Sequence, residues 1–216
     1  MAGRTNKTKP TAANPRAAAR AAREGVYREH ILTAAEHVFA EKSFEDAKVQ
    51  DISREAGLSM GSIYSLFPGK EQIFESITEK RGNEILALVR AVIAQERDPL
   101  ETIEEIATTY IHYLHGHPHF LRMNLRTGAA WALTPRHAHH VAKEIHELQA
   151  SVFARGIEAG VFVDDDPAYL ATLLTGIDQI HLAHWVQTGM KQPRDSLREN
   201  FLRLVRRTFL RKPPKT

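Results

Sequence analysis

Residues 56–71 read AGLSMGSIYSLFPGKE, with three glycines, three serines and a proline set between two stretches of helical pattern. Gly57 stops the preceding helix as a C-cap glycine does, and Ser59 is a good N-cap for the next segment. Pro68 and Gly69 close the next stop, so the spacing predicts a helix over about Met60 to Leu66. Two turns are unstable alone and must be pinned by neighbours. Ile63 and Phe67, four apart, supply the pins, which leaves Met60, Gly61, Ser62, Tyr64 and Ser65 on the other side. Small and hydroxylated groups let a backbone come close and be hydrogen-bonded. A helix-turn-helix presents such a second helix to DNA, its N-terminal residues in the major groove. Hydroxyls suit phosphate oxygens, and Lys70 at the start of the next helix adds a charge for the same purpose. The plain alternative is a three-helix cap with solvated serines. Against it, glycine, serine and an exposed tyrosine together are poor choices for an ordinary helix surface.

Upstream, Ile31, Ala34, Ala35, Val38 and Phe39 fall on one face of a helix over Val26 to Glu41. VQDISREA then places Val49, Ile52 and Ala56 on one side of a second helix. From Phe44 to Glu71 the chain resembles the DNA-binding region of the TetR-type (tetracycline-repressor-like) transcriptional regulators: an AGLS turn, a GSIYSLF recognition helix and a following Lys70–Glu71. The likeness covers roughly residues 26–75. It implies an all-α protein of about nine helices, with a three-helix DNA-binding domain followed by a helical-bundle domain that binds an effector and dimerises. The resemblance places Ser62, Tyr64 and Lys70 at backbone contacts to DNA, and Met60, Gly61 and Leu66 near bases; Ser59 and Ser65 flank them. Lys48 stands where a capping Ser or Thr is usual, which exchanges a cap for a phosphate contact. Leu66 stands where a ring is common, which favours a thymine methyl.

Beyond Gln72 the periodicity predicts helices from about Lys70 to Arg97, Pro99 to His115, Pro118 to Arg126, Pro135 to Ala159, one opening at Asp166–Pro167, and a last one from near Asp195 to before Pro213. The last two are apolar on more than one face, so a partner subunit is the natural cover. Leu170, Leu174, Ile177, Leu197, Phe201, Leu204 and Val205 are the expected contacts of a homodimer. Phe120, Met123, Leu125, Trp131, Phe153, Ile177, His181 and Trp185 are the large residues expected around a small, partly apolar effector.

The organisation is therefore a basic arm over 1–24, a DNA-binding domain over 25–72 and an effector and dimerisation domain over 73–212. Residues 1–24 carry six Lys or Arg against Glu24, with few large apolar groups, and are expected to be disordered alone. No cysteine is present, no signal-like apolar run follows Met1 and no run is long enough for a membrane span, so the expected place is the cytoplasm. Ten of twelve histidines follow residue 110, in HYLHGHPH, RHAHH, His146, His181 and His184. No carboxylate stands near them at matching spacing, so no metal or other cofactor is expected. Asp178 and His181 share a helical face, but no nucleophile elbow, phosphate loop or paired carboxylates accompany them, and no enzyme is expected. The partners are an operator duplex, a small effector and a second copy, with no membrane; the reading is a repressor released by its effector. The rival is a helical small-molecule or metal-binding protein, or an enzyme, whose N-terminal domain no longer serves DNA.

Overall fold

A computed structural model describes residues 15–126 and 139–211. Nine helices occur among the described residues: α1 (Pro15–Lys42), α2 (Val49–Ala56), α3 (Met60–Tyr64), α4 (Lys70–Ile93), α5 (Pro99–Gly116), α6 (Pro118–Arg126), α7 (His139–Glu158), α8 (Pro167–Gln187) and α9 (Arg194–Phe209). Their starts reflect local chemistry. Asp98 accepts from the Glu101 amide ahead of Pro99, and Asp166 accepts from the Ala168 amide ahead of Pro167. Gly57 and Gly160 sit in the left-handed region after α2 and α7, where an L side chain would be strained. The only extended pairing among the described residues is an isolated antiparallel bridge between Phe162 and Leu210, which ties the α7–α8 turn to the end of α9.

One expectation fails at the start. Pro15–Glu24 is the beginning of α1 rather than part of a disordered arm. Its alanines have the highest helix propensity of any residue and continue a helix already nucleated by the packed turns after it. Residues 1–14 lie outside the described residues.

The buried core is continuous through both expected domains, from Ile31 in α1 to Phe209 in α9. α1 packs on α2, α4 and α6, while α5 packs on α4, α6, α7 and α9. The first helix of the expected DNA-binding domain thus also rests on α6 of the expected second domain. An ionic link joins them: Arg81 of α4 holds Glu36 of α1 at 2.9 Å and Glu84 at 3.1 Å, and the Tyr113 hydroxyl of α5 donates to Glu84. Burial lowers the Arg81 pKa, but Glu36 and Tyr113 outweigh it and hold the guanidinium more firmly charged than usual. No described helix is long and apolar enough to cross a membrane.

Candidate nucleic-acid interface

The short α3 is held from beneath and at both ends. Ile63 and Phe67 are 1% and 0% exposed, so the two expected pins are in place. At the start, Ser59 Oγ accepts from the Ser62 amide at 3.1 Å. At the end, Arg28 donates to the Leu66 carbonyl at 2.9 Å, its guanidinium 4.2 Å from the centre of the Phe67 ring. Ser53 Oγ donates to the Leu58 carbonyl at 2.6 Å across the turn between α2 and α3, and His30 Nε2 meets the Ala56 carbonyl at 2.8 Å. The turn is therefore fixed from α1 as well as from α2. α3 ends at Tyr64, two residues before the expected Leu66, which packs half-buried against the core.

This leaves Gly61, Ser62, Tyr64 and Ser65 exposed, with Met60 half-buried beside them. Tyr64 is 50% exposed although it is a large ring. Gly61 is the most telling residue, since a Cβ there would meet nothing nearer than Ser59 Oγ at 3.8 Å. Glycine in a helix costs about 1 kcal/mol relative to alanine, and no packing within the chain requires it. Room kept clear on an outer helical face suits the close approach of another molecule's backbone. Lys48, Gln50 and Arg54 extend the exposed polar surface along α2; Arg54 has no signal in the sequence, where it is one more solvated charge. A lysine cannot accept from free amides at the start of α2; Asp51 keeps one half of the cap by accepting from the Lys48 amide at 3.1 Å.

Two of the expected contacts have partners within the chain itself. Leu66 is half-buried and packs in part against the core. Lys70 donates to the carbonyls of Phe44, Glu45 and Ala47 at 2.7, 3.1 and 3.0 Å, and its ammonium stands 4.7 Å from the centre of the Phe44 ring. Spacing puts a charge near the recognition helix, but the α1–α2 loop ends in carbonyls that need donors, and the lysine satisfies them. Lys70→Ala is accordingly expected to cost about 1.5–3 kcal/mol of stability and to leave the salt dependence of DNA binding unchanged. Thermal melts and binding isotherms at several salt concentrations separate these two effects.

Residues 31–77 match the family model described as bacterial regulatory proteins, tetR family. The chain carries the tetR-family DNA-binding domain. Among curated proteins it is similar to the nucleoid occlusion factor SlmA of Shewanella halifaxensis, 22% identical over 76% of this chain and 85% of the relative. It is also similar to the HTH-type transcriptional repressor KstR2 of Rhodococcus jostii, 23% identical over 82% of this chain and 88% of the relative. Among solved structures, the transcriptional regulator FadR of Bacillus subtilis in complex with stearoyl-CoA superposes with a TM-score of 0.69, at 18% identity, over 82% of this chain and 96% of that one. The tetR-type fold thus extends well beyond the matched domain.

The residues expected to line an effector site are chiefly packed core. Phe120, Met123 and Phe153 are buried, Ile177 and Leu125 are half-buried, and Trp131 lies outside the described residues. Trp185 is buried with its Nε1 donating to the Gln192 carbonyl at 3.1 Å. His181 meets the Leu197 carbonyl at 3.0 Å, and burial lowers its pKa despite that bond. Beside them are buried polar atoms without a partner among the described residues: Asp178 Oδ1 on α8 and Gln149 Oε1 on α7. Burial pushes the Asp178 carboxyl well above the usual range, and burial followed by the Asp178 charge pushes up the Tyr110 hydroxyl of α5. The folded Asp178 holds its proton to higher pH than the unfolded one, so its contribution falls as pH rises above the unfolded value. Asp178→Asn is expected to stabilise the protein by about 1–3 kcal/mol at neutral pH, with the difference vanishing in acid; melting curves across pH check it.

Most of the expected dimer contacts are buried within the single chain. Leu170, Leu174, Leu197, Phe201 and Val205 are at most 2% exposed within the single chain, so they form its own core. Leu204 stays 39% exposed, and Ile177 is half-buried. The apolar surface left over lies on a different stripe of α8, where Tyr169 is 51% and Ile180 74% exposed. Tyr169, Leu173, Gly176 and Ile180 recur at helical spacing on that stripe. A Cβ at Gly176 would meet nothing within 4 Å, so a neighbouring helix has room to approach there.

Proposed function

We propose that the protein is a ligand-responsive, DNA-binding transcriptional repressor that works as a homodimer. The observation that carries this is the exposed Gly61–Ser62–Tyr64–Ser65 face on a helix clamped from three sides, within a tetR-family domain. Rigid support with an open outer face is what a major-groove reader needs. Base contacts fall to Met60 and Gly61, and phosphate contacts to Ser62, Tyr64 and the exposed cations Lys48 and Arg54. A KstR2 repressor among the relatives supports the sign of regulation.

The effector enters among α5, α6, α7 and α8, where Phe120, Met123, Phe153, Ile177, His181 and Trp185 supply apolar surface. These side chains are packed, so entry displaces neighbours, and the displacement reaches α1 through α6 and the Arg81 link. Asp178 and Gln149 call for a hydrogen-bond donor on an otherwise apolar molecule. That a regulator of this fold holds stearoyl-CoA supports an effector of substantial apolar length.

A second copy covers the Tyr169–Ile180 stripe and Leu204. Ile180→Glu is expected to yield a folded monomer, whereas Phe201→Glu unfolds the chain, because of the two only Ile180 stands clear of the core. Light scattering with circular dichroism distinguishes the two. The whole reading is tested by gel shift on duplex from the region upstream of the protein's own gene. Saturable, competitor-resistant binding by wild type, weakened at least tenfold in Ile180→Glu, is expected; wild-type binding no stronger than to random duplex would overturn it.

A further inference from the structure

His37, Glu41 and His119 bring one ligand-type atom each within 4.8 Å of one another. His37 and Glu41 stand one turn apart on α1, and His119 comes from the first turn of α6, which packs along α1. The two imidazoles meet edge-on with centroids 4.7 Å apart. Two further features separate this cluster from a chance meeting of polar side chains. His119 Nδ1 is buried without a hydrogen-bond partner among the described residues. His37 Nδ1 lies 2.7 Å from Glu55 Oε1 on α2, so the carboxylate accepts the Nδ1 proton and leaves Nε2 as the nitrogen with a free lone pair. A histidine oriented by a carboxylate on its far nitrogen is the arrangement that metal-binding histidines use.

We infer that His37, Glu41 and His119 form a binding site for a divalent transition-metal ion of the zinc class. Two imidazoles and one carboxylate suit Zn2+, Co2+ or Ni2+, and supply too few oxygens for Ca2+ or Mg2+. Water completes the shell on the open side. One competing contact is present, Arg122 at 3.4 Å from Glu41 Oε1, with the two side chains 40% and 53% exposed. An exposed pair of this kind is weak, and the guanidinium is free to swing into solvent as the ion enters. An ion here staples α1, which carries the DNA-binding domain, to α6 of the second domain. Among the described residues of the histidine-rich run at 112–119, only His119 takes part.

The test is a titration of the full chain, stripped with a chelator, with Co2+ and then Zn2+. Wild type is expected to bind one ion per subunit, to show the visible absorption of Co2+ held by nitrogen and oxygen in a four-coordinate site, and to melt higher with Zn2+. His37→Ala and His119→Ala should each abolish the Co2+ spectrum and weaken Zn2+ at least 100-fold, and Glu55→Gln should weaken it by roughly 10–100-fold. A chain with His137, His139 and His140 all changed to Asn should behave as wild type. His37 is partly exposed, and melting of the metal-free variants verifies that they fold. The inference is overturned if wild type gives no such spectrum, if His37→Ala keeps spectrum and affinity, or if only the changes at 137, 139 and 140 remove them.

Discussion

Arg81→Ala is expected to lower the unfolding free energy by about 3–5 kcal/mol, because it leaves the carboxylate of Glu36 buried and unpaired. The side chains of Arg81 and Glu36 are 16% and 10% exposed, so water cannot replace the lost partner. In a chain of this size that corresponds to a fall in Tm of roughly 6–20 °C. Glu84 loses support as well: burial opposes its charge, and the Tyr113 hydroxyl with Arg81 outweighs burial to hold its carboxyl below the usual range. Arg81→Lys should recover only part of the loss, since an ammonium cannot reach Glu36 and Glu84 with one planar fork. Pairing Arg81→Met with Glu36→Gln should cost clearly less than the sum of the single changes, as the second removes the orphaned charge. Urea unfolding of wild type, the two single variants and the double variant checks this. Additive losses would mean that the link between α1 and α4 is not a coupled pair.

Gly61→Glu is expected to leave the fold intact and remove specific DNA binding. Within the chain a Cβ at this exposed position meets nothing nearer than Ser59 Oγ at 3.8 Å, and glutamate is the better helix former by several tenths of a kcal/mol. Tm should hold or rise slightly. Against a duplex the same side chain puts bulk and negative charge where a backbone has to come close, at a cost of about 3 kcal/mol or more, roughly 100-fold in affinity. Equilibrium binding by fluorescence anisotropy measures it. A surface substitution that stabilises while it abolishes binding has no explanation in a helix that merely caps the domain.

Much of the fold is legible in the sequence because its punctuation is local. Gly57, Ser59, Asp98–Pro99 and Asp166–Pro167 each set a helix end through their own backbone geometry or a hydrogen bond to a near neighbour, so α2 ends, and α3, α5 and α8 begin, where those residues say. What spacing does not carry is direction. Lys70 lies beside the recognition helix in sequence, yet its ammonium turns back to three carbonyls of the α1–α2 loop. Leu66 has the right number for a base contact, yet it packs half-buried against the core. On α8 the apolar residues go most of the way round, and the sequence offers no means of telling Leu170 and Leu174, which face the subunit's own core, from Tyr169 and Ile180, which face out. The meeting of His37 with His119 depends on how α6 lies along α1, a tertiary fact with no local sign. Alanines at the start of α1 show the opposite error, where low hydrophobicity reads as disorder although helix propensity alone extends a packed helix.

The central claim, that the outer face of α3 reads DNA as part of a two-fold dimer, is tested most directly by selection from a random duplex pool with wild type and Gly61→Glu in parallel. Wild type is expected to enrich a palindrome whose half-sites lie one helical turn or a multiple apart, and Gly61→Glu to enrich nothing above the input. Enrichment of the same sequence by both proteins, or no enrichment by wild type, would contradict it.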